Sequence, residues 1–164
     1  MVSEQKANSN VIDVKIYLTQ TSSYCGGAEP PDELLIELAT PQPLSGKKLH
    51  IKKGSNNDPR ITPIASLNSL ADGLAEMQLE PGSYCVVYDN KVDSAYFKML
   101  LSKHSVATQS YSEINKKCIE RWLLTAEYSF IVHKDSSNVH TFNHHNQCAW
   151  GGLPCMNYNG PYPP

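Results

Sequence analysis

The side chains with the most chemistry in them crowd toward one end of this chain. His140, His144 and His145 are followed closely by Cys148, and Cys155 comes soon after. Imidazole nitrogen and thiolate sulfur at short spacing suit zinc or copper. His140, His144, His145 and Cys148 therefore form a candidate metal site. Six residues separate Cys148 from Cys155, where a zinc template of the C-x2-C type has two. Oxidation is the plainer chemistry. Cys25 stands in a Gly-rich loop, Cys118 lies near Trp122 in a helical segment, and Cys148 and Cys155 bracket a Gly-Gly-Leu-Pro turn. These four are candidates for two disulfides. Four cysteines permit three pairings, and spacing does not choose among them. Cys85 falls in the middle of a β-prone run and reads as a small buried hydrophobe with a free thiol.

Catalytic patterns are poorer. The chain has no G-x-S-x-G, no phosphate-cradling glycine loop and no H-E-x-x-H. Cys25 with a histidine base can be drawn as a nucleophile, but Gly26-Gly27 after it fits a tight turn beside a disulfide better. Asp32 and Glu33 sit where a helix would begin, and the helix dipole accounts for them. Trp150, Tyr158 and Tyr162 lie among Asn, Gly and Pro in the last fifteen or so residues. Aromatic rings on stiff, extended segments can stack on sugars or peptides, so these three are candidate ligand contacts. The alternative is that they close the open end of a sandwich.

The elements that must position these residues are mostly strands. Ile12, Val14, Ile16 and Leu18 alternate with polar residues, as do Leu49 and Ile51 with Lys48, His50 and Lys52 pointing the other way. A strand is expected somewhere in 61–70, at an edge because of Pro63. Ala71-Asp72-Gly73 and Glu80-Pro81-Gly82 turn the chain on either side of 74–79, and 84–88 is strongly β-prone. Leu49, Ile51, Leu79, Val86 and Tyr88 are the expected inward residues. A short helix, DELLIELA, is expected with Asp32 as its cap. Residues 128–133 and 139–142 read as a hairpin. Residues 93–127 read as a helical insert, with Ser110–Glu113 as a capping box. Residues 143–164 read as an irregular tail.

Short strands with turn signals between them argue an all-β sandwich. The order Pro43-Leu44, Gly46-Lys47, Leu49, Ile51, then Asp72-Gly73, then Leu79, Pro81-Gly82, Tyr84, Val86 resembles the transthyretin-like, or carboxypeptidase regulatory-like, domain over about residues 11–92. That resemblance implies a seven-stranded Greek-key sandwich and an accessory or binding role without catalytic residues. Tyr24-Cys25-Gly26-Gly27-Ala28, Cys118 with Trp122, and the closing C-x-W-G-x-x-P-C-x-x-Y-x-G-P-x-P-P are similar to a group of secreted or lipid-anchored bacterial proteins, chiefly of Bacteroidetes type. That second likeness implies a location and no activity.

Length and charge bound the rest. The 164 residues fit one domain, expected over 11–164 behind a disordered leader at 1–10. The net charge is -2, with only 18% charged residues. No strong field would steer the chain to nucleic acid. No apolar run approaches the ~20 residues of a membrane span. The polar start lacks the apolar stretch of a signal peptide, and with five Cys it reads as a mature form restarted at Met1, whose precursor could carry a lipid anchor. The expected protein is a non-catalytic module of the periplasm, cell surface or medium, needing no cofactor and binding a protein, peptide or glycan. The alternative is a copper- or zinc-binding protein using the His/Cys cluster.

Overall fold

The computed structural model describes residues 10–162; most of the leader expected at 1–10 lies outside them. Two sheets stack face to face. In the first, β1 (Ile12–Ser22) is central. Its first half pairs antiparallel with β5 (Leu74–Leu79), Ile12 opposite Leu79, and its Thr19 and Gln20 pair with β2 (Gln42–Pro43). Its other edge pairs with β8 (Val139–Asn146), in parallel. The second sheet runs β4 (Ala65–Asn68), β3 (Lys48–Lys53), β6 (Gly82–Val87), β7 (Tyr128–Val132).

Period-two alternation puts one face of each strand into the gap between the sheets. Val14, Ile16 and Leu18 meet Leu49, Ile51, Leu79, Tyr84, Val86, Tyr88, Phe130 and Val132 there. Each fully buried aliphatic or aromatic side chain contributes about 1.5–3 kcal/mol from water exclusion. The five residues expected to point inward all do, and the mainly-β sandwich is formed. Gly73 makes the turn into β5 at φ +79, and its carbonyl accepts Leu18 N at 2.9 Å. Gly82 opens β6 at φ +152.

Several local expectations are corrected. The strand expected in 61–70 is confined to Ala65–Asn68, on the sheet edge that Pro63 favours. Among the described residues there are eight strands, β2 having only two residues. The helix α1 (Asp32–Ala39) has Pro31 at its cap, without a side-chain bond, so Asp32 is its first residue. The insert begins before residue 93, with α2 (Asp89–Val92) and α3 (Ala95–Lys103). It leaves 104–115 outside any helix and resumes with α4 (Lys116–Leu124). The cap of α4 is Asn115, whose Oδ1 accepts Cys118 N at 2.9 Å, and not Ser110.

The largest correction concerns the hairpin of 128–133 with 139–142, which does not form. Asn138 diverts the chain. Its Oδ1 accepts His133 N, its Nδ2 donates to His133 O and Ser136 O, and its own carbonyl accepts Lys15 N. That last bond starts β8 along β1, so β7 and β8 end in different sheets. Residues 143–146, expected in the tail, continue β8.

Candidate functional site

The tail is fixed by two covalent ties. Cys25 is joined to Cys148, and Cys118 to Cys155. All four disulfide candidates are used, and Cys85 remains a buried free thiol whose pKa burial pushes up. The first tie closes the β1–β8 pair beyond its last rung. The second pins the tail to α4, over a small cluster of Leu100, Ile114 and Ile119 against which Leu153 and Met156 pack. Cys25 is therefore no nucleophile, because its sulfur is in a disulfide.

This anchoring gathers the aromatic residues. Tyr111 and Tyr158 form an isolated β-bridge, with their rings 5.3 Å apart. Tyr158 Oη donates to Pro161 O at 2.7 Å and folds 159–161 back. Trp150, Tyr158 and Tyr162 thereby touch one another, at centroid separations of 6.4, 5.9 and 5.8 Å. Trp150 and Tyr158 are half-buried, whereas Tyr162 is 68% exposed. Beneath them His104 is buried edge-on to Tyr111, with its Nδ1 unpartnered. The three aromatic candidates form one cluster at the surface.

The metal candidates are not brought together. His140 and His144 fall on the inner face of β8, and His145 on the outer. His145 binds hydroxyls through both ring nitrogens, Thr21 Oγ1 at 2.9 Å and Ser23 Oγ at 2.8 Å. Cys148 has no thiolate to offer. His140 packs 4.9 Å from the Phe130 ring and His144 5.4 Å from the Tyr88 ring. Burial lowers the pKa of both, helped by His133 at His140 and by Lys47 at His144. These two are neutral aromatic members of the core edge. Among the described residues no group of three or more His, Cys, Asp or Glu could hold a metal ion.

A polar layer that the sequence reading placed in solvent lies on the outer face of the second sheet. His50 and Lys52 do point out of the sandwich, but both are buried. Lys52 Nζ donates to Asn57 Oδ1 at 2.7 Å and Asp58 O at 2.9 Å, and burial lowers its pKa. Asn57 donates in turn to Lys91 O and Leu123 O. Lys91 meets Glu127 at 3.1 Å, donates to Thr125 O and lies 4.6 Å from the Trp122 ring centre. His50 bonds Ser66 on one side and Asp89 on the other. Each buried polar side chain of this layer thus has partners, as burial requires. The only available signal was that β3 interleaves lysine and histidine with apolar residues ahead of a helical insert long enough to cover them.

Both arginines of the chain, Arg60 and Arg121, line a cleft between the loop after β3 and α4. Arg60 holds the Asp58 carboxyl down at about 2, chiefly by its side-chain hydrogen bond. No helix among the described residues is long and apolar enough to cross a membrane.

No family model matches the chain, and no curated protein matches it. Solved structures give distant likenesses. The TIE protein of Bacillus anthracis is 9% identical with a TM-score of 0.38, over 83% of this chain and 17% of that one. A double mutant of the shaft pilin SpaA from Lactobacillus rhamnosus GG is 10% identical with a TM-score of 0.41, over 84% of this chain and 51% of that one. The N-terminal domain of the same pilin is 10% identical with a TM-score of 0.37, over 82% and 94%. The chain spans less than two thirds of the length of the first two. Likenesses this distant carry no role across.

Proposed function

We propose that this chain is a non-catalytic, extracytoplasmic β-sandwich module of the transthyretin-like, carboxypeptidase regulatory-like type. It is secreted, periplasmic or held at the cell surface, and it binds a protein, peptide or glycan through Trp150, Tyr158 and Tyr162. The location is supported by the use of four of its five cysteines in disulfides, which persist in oxidising compartments. The binding role is carried by one observation: three aromatic rings meet at the surface on a segment that Cys118–Cys155 and the Tyr158–Pro161 bond hold in place. A preformed aromatic surface avoids much of the ordering cost of binding.

The test is a screen of the purified chain against glycan and peptide arrays, followed by titration of each ligand retained. Tyr162→Ala and Trp150→Ala should weaken binding at least about tenfold, as loss of an aromatic anchor does, with the melting temperature of Tyr162→Ala unchanged. Ligands bound equally well by both variants would refute the role of this cluster.

A further inference from the structure

On the outer face of the second sheet a hydroxyl, an imidazole and a carboxylate stand in one hydrogen-bonded line. His50 stands opposite Ser66 across β3 and β4. Ser69 N donates to Lys47 O, which makes Leu49–Leu67 a hydrogen-bonded pair and His50–Ser66 a non-hydrogen-bonded one. Side chains approach most closely at such pairs, and Ser66 Oγ lies 2.7 Å from His50 Nδ1. At the other end of the ring Nε2 lies 2.5 Å from Asp89 Oδ1, in the first turn of α2. His50 is only 6% exposed, while Ser66 and Asp89 both face solvent.

The partners fix the tautomer. The hydrogen bond from His50 lowers the Asp89 pKa, and the charges of Lys48 and Lys47 add to it. A carboxylate only accepts, so Nε2 carries the hydrogen and donates it to Asp89. Nδ1 then presents its lone pair to the Ser66 hydroxyl. A hydroxyl donating to an imidazole that a carboxylate orients is the arrangement of an activated nucleophile, here with the two ring nitrogens exchanged. β4 is an edge strand. The Ser66 amide, turned away from β3 by the register, is a donor beside the hydroxyl for charge developing on an attacked carbonyl oxygen.

We propose that Ser66 accepts an acyl group from a reactive ester or thioester, with His50 as general base and Asp89 as the positioning residue. Ser66 Oγ bonds to the carbonyl carbon and its proton passes to His50 Nδ1. The tetrahedral adduct collapses by breaking the bond to the alcohol or thiol, which leaves with that proton. The product is an ester of Ser66. One such transfer per chain needs no turnover and is compatible with a binding module. The site is also separate from the aromatic cluster, so either can fail alone.

The experiment treats the full chain with p-nitrophenyl acetate and, separately, with a fluorophosphonate, followed by intact mass measurement and peptide mapping. The expected result is one adduct on Ser66, absent in Ser66→Ala. His50→Gln should slow labelling about 100-fold, the scale of lost general-base help. Because His50 is buried, that variant can fail to fold. Asp89→Asn, at an exposed position, carries the decision instead, and it should slow labelling at least tenfold with the melting temperature retained. Absence of any adduct, labelling scattered over exposed serines and lysines, or an unchanged rate in Asp89→Asn would overturn the proposal.

Discussion

The sandwich core and the cluster under the tail are built on different principles. Between the sheets, Val14, Ile16, Leu18, Leu49, Ile51 and Val86 are almost wholly removed from water, and no crosslink passes among them. Under the tail, among the described residues, the buried cluster is only Leu100, Ile114 and Ile119, and a disulfide joins the tail to α4 beside them. Ordering a residue costs about 1–2 kcal/mol of backbone entropy, more for the adjacent Gly151 and Gly152. Burial meets that cost in the first region. In the second, restriction of the unfolded chain supplies what burial lacks. A sequence poor in aliphatic residues can therefore still present a rigid surface, and the exposed aromatic cluster sits in the region of that kind.

The comparison can be broken most forcefully in the sandwich. Ile51→Ala leaves a cavity among fully buried neighbours and should cost about 2–5 kcal/mol, read as a lower urea midpoint with an unchanged slope. A smaller effect confined to the second region is expected from replacing Cys118 and Cys155 together by Ser, about 2–4 kcal/mol. Hydrogen exchange should show α3 and α4 losing protection while β1, β3 and β6 keep theirs. Equal loss in both regions would mean that the two fold as one unit.

Turn geometry gives a finer contrast within the sandwich. A Cβ on Gly73 would run into the Leu18 carbonyl oxygen, whereas one on Gly82 meets nothing nearer than Tyr84 Cε2 at 3.8 Å. Gly73→Ala should cost at least about 1–2 kcal/mol for its left-handed backbone alone. Gly82→Ala should cost less, and the two melting temperatures decide the order.

The smallest effect is that of acid on β8. The folded-state pKa values of His140 and His144 lie below the ordinary 6.5. Above that value both are neutral whether folded or unfolded, and their contribution is intact. As pH falls below 6.5 the unfolded chain takes up protons first, and stability is lost down through the lowered folded values. The melting temperature should drop between pH 7.5 and pH 5.5, by less in His140→Gln.

The legible parts of this molecule were those set by neighbours in sequence. Alternation at Leu49, Ile51 and Val86 gave the inward face, and the Asp-Gly and Pro-Gly pairs gave two turns. The inventory of disulfide cysteines was legible too, because their loops cannot be held otherwise. Their pairing was not, since it depends on β8 lying beside β1, more than a hundred residues away in the chain. The fate of His50 and Lys52 was hidden as well, because they read as exposed until α2 and the loop after β3 cover them. Asn115 did carry a cap signal, standing just before the apolar run of α4, but Ser110–Glu113 competed with it. The meeting of Trp150, Tyr158 and Tyr162 rests on the Tyr111–Tyr158 bridge and the Cys118–Cys155 tie, neither of which spacing could show.

Peptide mapping of the oxidised, folded protein without reductant tests the covalent anchoring of the tail most directly. The fragments of Cys25 and Cys148 should travel together, as should those of Cys118 and Cys155, and Cys85 should be alkylated only after unfolding. A bond between Cys148 and Cys155, or free alkylation of either in the folded chain, would contradict it.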